Sequence, residues 1–248
     1  FVDDSNFERE LVRNQFPMVE VPNIGDEPEK YIFHIDRAKY FENVSLSKED
    51  FSRSSYYKTN VKRESEKVRF KNYNDYLASL KMKTIFKKFK KEDINRITQL
   101  VNKTNQFNLT VKRLNLEEIV NISKHSNFLT IAGNLKDKFG DNGLVTIFIG
   151  KIKKQTIDIV VWLMSCRVFN RNLEFALFDY LISQCKNKDI STICGNYIKS
   201  KKNFIVKDFY KTLGFKKLKK HNNEIKWEFR IAKKYTKKNK VIKITNER

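Results

Sequence analysis

Residues 163–172 read Leu-Met-Ser-Cys-Arg-Val-Phe-Asn-Arg-Asn. The stretch joins two apolar segments. Before it, TIDIVVWLMSC (156–166) is an almost unbroken apolar run, the pattern of a buried strand. After it, residues from about Arg171 to Cys185 carry helical spacing. A strand that passes through a short polar loop into a helix points free backbone N–H groups, and the positive end of the helix dipole, at that loop. Asn170 and Asn172 belong to the non-glycine type that best tolerates positive φ. Arg167 and Arg171 add charge. The competing reading is a purely structural loop.

Outward from this junction the pattern stays regular. KTIFKKF, from Lys83, alternates as a strand. Residues Glu92–Asn102 place Ile94, Ile97, Leu100 and Val101 on one side of a helix. LNLEEIVNIS is a second helix. FLTIAGNL and GLVTIFIG are strands, and a hairpin near Gly150 leads through KIKKQ into the next. After the helix ending at Cys185 come the strand ISTICGNYI, a helix over FIVKDFYKTLG stopped by Gly214, and a final strand pair, FKKLKK and EIKWEFRI. The residues from about 233 are mostly Lys and polar, and are expected to be a mobile basic tail.

Upstream, residues 1–81 read as mostly helical. FERELVRNQFP is a helix stopped by Pro17, and MVEVP is a short strand. EPEKYIFHIDRAKYF is helical. Ser47 and Asp50 cap a long charged helix reaching Val68, and Asn72–Leu80 is a short helix. Such a segment cannot build a layered domain alone. The expected division is therefore 1–81, 82–232 and 233–248. The chain opens on Phe rather than Met, with FVDD resembling the end of a buried strand. It is therefore read as part of a longer polypeptide.

Composition narrows the class. Of 248 residues, 40% are hydrophobic, enough for a sizeable core. No apolar run approaches the roughly 20 residues of a membrane helix, and no signal segment is visible, so a cytoplasmic, membrane-free protein is expected. Three cysteines with no CxxC pairing fit neither a metal site nor a disulfide framework. Cys166 is expected to be a buried structural thiol. Lys and Arg outnumber Asp and Glu 51 to 29, a net charge of +22. Such a balance often marks nucleic-acid binding. Here Lys is spread along solvated helix faces and no recognition module is present, so no specific nucleic-acid partner is expected. A basic surface also attracts acidic carrier proteins and phosphorylated ligands.

The order strand, two helices, three strands, helix, strand, helix, two strands resembles the GNAT acetyltransferase fold. These enzymes carry [QR]xxGx[GA] between the fourth strand and third helix, where glycines let backbone amides approach the pyrophosphate of coenzyme A. In this chain Arg167, Asn170 and Asn172 stand at the matching positions, both glycines being replaced by Asn. The resemblance implies that Arg167, Asn170, Arg171 and Asn172 hold acetyl-CoA, CoA or a carrier-bound phosphopantetheine. It also implies that Asn203 contacts the pantetheine arm, and that Tyr210 protonates the departing thiolate as general acid. On a continuous helix the seven-residue spacing of Asn203 and Tyr210 puts both on one face. The competing role for Tyr210 is a core aromatic beside Phe209 and Phe215.

A wider resemblance covers the chain to about Phe215. FVDDSNFERELV followed by VEVP, TNQFNLT (104–110), KFGDNGLV (138–145), LMSCRVFNR (163–171) and YIKSKKNFIVKDFYKTLGF are similar, in this order, to the FkbH-like (HAD-IIIC) proteins. The overall expectation is an α/β chain: a GNAT-like acyltransferase domain preceded by the helical tail of a HAD-like phosphotransferase domain. The resemblance implies an enzyme that takes a glyceryl-type acyl group from phosphorylated 1,3-bisphosphoglycerate, releases phosphate, and loads an acyl carrier protein thiol. The alternative is a GNAT N-acetyltransferase using acetyl-CoA.

Two adjacent carboxylates at a buried strand end are tolerable with a divalent cation between them. The resemblance makes Asp3 and Asp4 ligands of Mg²⁺. A solvent-facing turn is the other reading. The HAD nucleophile is absent from this chain. Asn105, Gln106 and Asn108 cluster around Phe107 and are candidates to line the acyl or pantetheine pocket, or else to satisfy a helix-to-loop corner.

Overall fold

A computed structural model describes residues 1–40 and 53–245. The chain divides into two compact units, Phe1–Phe51 and Ser52–Arg248.

In the first unit, α1 (Asn6–Gln15) is capped by Ser5, whose Oγ accepts from the Glu8 amide at 3.4 Å. Arg9, one turn in, donates to the carbonyls of Asp3 and Asp4 at 2.9 and 2.8 Å, which fixes the approach to the helix. A second helix, α2, spans Tyr31–Arg37. Met18–Pro22 form no strand, and Phe1 and Val2 are exposed instead of lying in a buried strand. A strand needs a neighbour that takes a series of its backbone hydrogen bonds, and the bond from the Phe1 ammonium to the Glu20 carbonyl at 2.8 Å does not extend into a ladder among the described residues. The proposed Ser47–Asp50 cap lies outside the described residues.

The second unit is built on one sheet. Its elements are α3 (Arg53–Lys67), α4 (Tyr73–Ser79), β1 (Lys83–Thr84), β2 (Phe86–Lys87), α5 (Ile94–Lys103), β3 (Phe107–Asn108), α6 (Leu116–Lys124), β4 (Phe128–Asp137), β5 (Gly140–Lys153), β6 (Thr156–Met164), α7 (Leu173–Lys186), β7 (Thr192–Ile198), α8 (Phe209–Thr212), β8 (Lys216–His221), β9 (Glu224–Arg230) and β10 (Lys243–Ile244). Among the described residues the strand order is β10-β1-β4-β5-β6-β7-β9-β8, with β2 also on β4 and β3 also on β6. All pairs are antiparallel except β1 with β10 and β6 with β7.

The central strands are apolar on both faces because both faces are covered. Side chains alternate across a strand. Ile147, Ile149, Val161 and Leu163 therefore meet Ile97, Val101 and Ile119 from α5 and α6. Phe148, Trp162 and Met164 face the other way, into the larger core with Leu177, Leu181 and Tyr210. Each fully buried Leu or Ile contributes on the order of 1.5–3 kcal/mol. The α6 start is set by a capping box, with Asn115 and Glu118 bonding each other's backbone amides at 2.8 and 2.7 Å.

Three local expectations differ from the structure. The β5–β6 turn falls at Lys154–Gln155, not near Gly150, because β5 continues to Lys153. Residues 204–212 are not one helix: a short 3-10 turn at Phe204–Val206 precedes α8, after the Asn203 side chain turns back onto Ser200. The stretch after 233 packs instead of trailing away. Tyr235 Oη donates to Asp179 at 2.6 Å, and the Lys238 and Asn239 amides reach the same carboxylate. Ile242 is buried and β10 extends the sheet edge.

Candidate functional site

The strand-to-helix junction takes the backbone shape that its asparagines permit. Asn170 and Asn172 have φ of 60° and 62°, both left-handed, and Asn172 is the N-cap of α7. The loop is clamped from outside by Tyr73, whose Oη donates to the Asn170 carbonyl at 2.6 Å.

Its two arginines differ. Arg171 turns inward, donating to Asp137 Oδ2 at 3.2 Å, to Asn142 and Asn60 at 3.3 Å and to the Arg167 carbonyl at 2.8 Å. Burial, then the neighbouring Arg63, lowers its pKa, while Asp137 opposes the shift. Arg171 therefore braces the loop. Arg167 lies over the Tyr56 ring at 4.5 Å, and its Nη1 is buried without a hydrogen-bond partner.

The second feature is the seam between β6 and β7. These parallel strands pair only from Thr156–Asp158 to Thr192–Cys194. Beyond that point residues 107–110 lie between them. Phe107 and Asn108 pair with Met164 and Leu163, and the Leu109 amide reaches the Trp162 carbonyl at 3.3 Å. On the other side the Ile198 amide donates to the Leu109 carbonyl at 2.9 Å. Asn203 locks this strap. Its Nδ2 donates to the carbonyls of Asn108 and Ile198 at 3.0 and 2.9 Å, and its Oδ1 accepts from the Ser200 amide at 2.8 Å and Tyr197 Oη at 3.2 Å. Both amide hydrogens are thus committed within the chain, which leaves neither for a pantetheine arm.

Tyr210 lies beside the seam on β7. It is fully buried, with its ring packed on Phe215 at 4.9 Å and on Trp227 at 6.1 Å. It crosses Gly195 so closely that a Cβ there would stand 2.5 Å from Tyr210 Cζ. The Tyr210 hydroxyl has no partner, and burial pushes its pKa well above the usual phenol value, so it stays protonated.

Asn203 and Asn108 are therefore brought together, and Arg167, Asn170, Arg171 and Asn172 share one loop. Asn105 accepts from Arg113, which also holds the Val101 and Thr104 carbonyls, and Gln106 is exposed. Asn105 and Asn108 satisfy the corner after α5, with the Val111 amide donating to Asn108 Oδ1 at 2.9 Å. Asp3 Oδ1 accepts from the Ser5 amide at 2.9 Å as a helix lead-in, and among the described residues no three His, Cys, Asp or Glu gather as metal ligands. Cys166, expected inside, is exposed because it sits on the turn after β6. Cys185 is the buried thiol, its pKa pushed up to about 12 by burial.

Two residues escaped the sequence reading. Asp137 is the acceptor that joins Arg63 and Arg171. Glu174, in the first turn of α7, has Oε2 buried and unpartnered. An acid there looks like an ordinary helix-start residue, so only the packing around it distinguishes it.

An antiparallel β4-β5-β6 meander, a parallel β6–β7 pair that separates, α7 between them, and β9 inserted between β7 and β8 define a mixed α/β unit of the GNAT acyl-CoA N-acyltransferase fold. No protein-family profile and no curated protein sequence matches the chain. Among solved structures it is similar to the ribosomal-protein-S18-alanine N-acetyltransferase of Escherichia coli, at 11% identity and TM-score 0.47, over 61% of this chain and 96% of that one. It is also similar to the PaiA N-acetyltransferase of Thermoplasma acidophilum in complex with coenzyme A, at 14% and 0.48, over 59% and 98%. Ard1 of Thermoplasma volcanium gives 12% and 0.47, over 60% and 99%. The assignment of the fold rests on the strand order, not on these scores. No helix among the described residues is long and apolar enough to cross a membrane.

Proposed function

We propose that the Ser52–Arg248 unit is a GNAT-type acyltransferase that takes its acyl group from a phosphopantetheine thioester, acetyl-CoA being the simplest donor. The observation that carries this reading is Tyr210. A buried hydroxyl without a partner is uncommon and costs about 1–3 kcal/mol. This one stands beside the seam between β6 and β7 and keeps its proton. A protonated hydroxyl with no competing acceptor supports a role as donor to a leaving thiolate; its raised pKa by itself does not, because a general acid works best with a pKa near the operating pH. Arg167, with Nη1 buried and unpaired, is the cation for a donor phosphate. Asn170 and Asn172 supply the left-handed turns that aim the loop amides. The strap 107–110 holds the β6 edge, so donor entry along that edge displaces it.

Calorimetry with acetyl-CoA tests this directly. Micromolar binding that weakens on Arg167→Ala, with acyl transfer reduced in Tyr210→Phe, is expected. No heat at about 1 mM ligand, an affinity weaker than roughly −4 kcal/mol, overturns it.

A second reading is that the chain is part of an FkbH-like protein, with residues 1–81 the end of a HAD-like domain, 82–232 the acyltransferase and 233–248 its basic tail. Such a protein loads a glyceryl-type group onto a carrier protein. The asparagine side chains at both glycine positions favour it, because they crowd a diphosphate more than the single phosphodiester of a carrier arm. The carrier is acidic in this reading and meets a chain of net charge +22. In this reading Asp3 and Asp4 are the Mg²⁺ ligands, and among the described residues they have no third His, Cys, Asp or Glu grouped with them. Binding to holo-carrier but not apo-carrier supports this reading, and equal affinity for both removes it.

A further inference from the structure

Among the described residues, strand β8 ends the sheet and pairs on one side only, with β9. A strand packed on a core buries every second side chain, as β7 does from Ile193 to Tyr197. β8 buries none: all six residues, Lys216–His221, are exposed. Residues paired across two strands share a face, so the register assigns each side chain. Lys216 and Lys219 lie opposite Glu228 and Lys226 on one face, and Lys217 and Lys220 lie opposite Trp227 and Ile225 on the other. A register shift between Lys217 and Lys219 carries the extra residue, Leu218. Lysine thus stands on both faces of an open edge.

The fold gives these lysines no anion. Among the described residues none of the four forms an ion pair, and Glu228, the acid opposite Lys216, holds Arg230 at 3.0 Å instead. Lys219 directly opposes Lys226, and like charges in that position repel. Lysine on an exposed edge keeps like edges apart, so a second copy of β8 is a poor occupant: it brings lysine to lysine. A nucleic-acid duplex is poor for a different reason. β9 is paired with β7 from Glu224 to Arg230, so β8 and β9 are not a free two-stranded ribbon that enters a groove. An extended acidic segment meets both requirements, since it takes the open backbone groups and neutralises the side chains.

We propose that β8 is a docking edge for an extended partner segment with consecutive Asp or Glu residues, added to the sheet as one more strand. Consecutive acids matter because the side chains of a strand alternate between faces. With lysines on both faces, acids at alternate positions answer only one pair. Backbone hydrogen bonds give the segment its hold, and acid–lysine pairs across the strands select the partner. The docking edge is independent of both readings of the activity.

The test uses the full chain, calorimetry and amide hydrogen exchange, with the end-blocked peptide Val-Glu-Glu-Val-Glu-Glu-Val as the probe. This peptide should bind at physiological salt and slow exchange at the β8 amides. Replacing its central Val by Pro keeps the charge and removes a strand donor, and should weaken it by about tenfold. The peptide Glu-Val-Glu-Val-Glu-Val-Glu, with the same composition and all acids on one face, should bind roughly several-fold more weakly. Lys219→Gln with Lys220→Gln should weaken the probe by about tenfold. Lys112→Gln with Lys124→Gln, the same charge change at two other exposed positions, should leave it unchanged. No peptide heat at about 1 mM overturns the proposal. So does a proline peptide that binds as tightly as its parent, because charge alone is then responsible, and so does equal binding of the two acidic patterns. Protection of the β8 amides by a DNA duplex and not by the peptide overturns it as well. Protection that rises with protein concentration in the absence of peptide puts a second copy on the edge and has the same consequence.

Discussion

Arg63 and Asp137 form a two-pronged ion pair, with Nε donating to Oδ2 at 2.8 Å and Nη2 to Oδ1 at 2.9 Å. Both side chains are buried. The same carboxylate takes Arg171 at 3.2 Å and the amides of Phe139 and Gly140 at 2.9 and 3.2 Å. One acid thus ties α3, the β4–β5 turn and the loop before α7. Asp137→Ala leaves two guanidinium groups buried without their anion. Removing one partner of a buried pair costs about 3–5 kcal/mol. Urea unfolding of Asp137→Ala should show that loss. A change under about 1 kcal/mol would mean that the network is solvated.

Asn203→Ala removes the lock on the strap. The Asn108 and Ile198 carbonyls and the Ser200 amide all lose a bond. Buried groups left unpaired cost about 1–3 kcal/mol each when no water replaces the partner. A destabilisation of about 2–4 kcal/mol is expected, together with faster hydrogen exchange at the Leu109 and Ile198 amides. Unchanged exchange there would show that the strap is held by its β6 pairing alone.

Much of the architecture was legible in the residues. Periodicity marked the main strands and the helices from α4 to α7, and the asparagines at 170 and 172 indicated left-handed turns that the structure shows. What stayed hidden depends on long-range meetings. Arg63 and Asp137 are 74 residues apart. Arg171 reads as a ligand in the loop, and only folding turns it toward Asp137. The seven-residue spacing places Asn203 and Tyr210 on one face of a continuous helix, but the backbone breaks between them, so one residue is a lock and the other a buried phenol. The packing of the last residues depends on Asp179, an acid that reads as part of a helix face until Tyr235 reaches it.

Gly195 and Tyr210 are a second dependent pair. A methyl at Gly195 meets the fully buried ring at 2.5–2.6 Å. The ring has Phe215 and Trp227 around it and little room to move. Overpacking of this kind costs about 1–3 kcal/mol. Gly195→Ala should destabilise by that amount in the wild-type chain and by clearly less in a Tyr210→Leu background, because the clash is then gone. Strict additivity of the two substitutions would refute the contact as the cause.

Tyr210→Phe separates packing from chemistry. The hydroxyl has no partner, so its loss removes a desolvation cost and breaks no bond. Stability should stay level or rise by up to about 1 kcal/mol. If the hydroxyl is the general acid, transfer slows by about 10²–10⁴ with little change in donor affinity. A stability loss above about 1 kcal/mol would instead reveal an unseen partner for the hydroxyl.

Glu174 gives the chain a pH signature with a definite sign. Burial raises its folded pKa above the usual value of 4.5, so the native state holds the proton more tightly than the unfolded chain does. The linked stability is fully present below the unfolded pKa and is lost as pH rises through the folded one. Glu174→Gln removes this term while keeping the shape. The stability of the variant relative to wild type should therefore be flat in acid, climb as pH passes upward from 4.5, and level off once the carboxylate is ionised. Urea midpoints from acid to neutral pH measure the difference curve, in which the titration of other groups cancels. Parallel profiles across the range would show that the carboxylate is not perturbed.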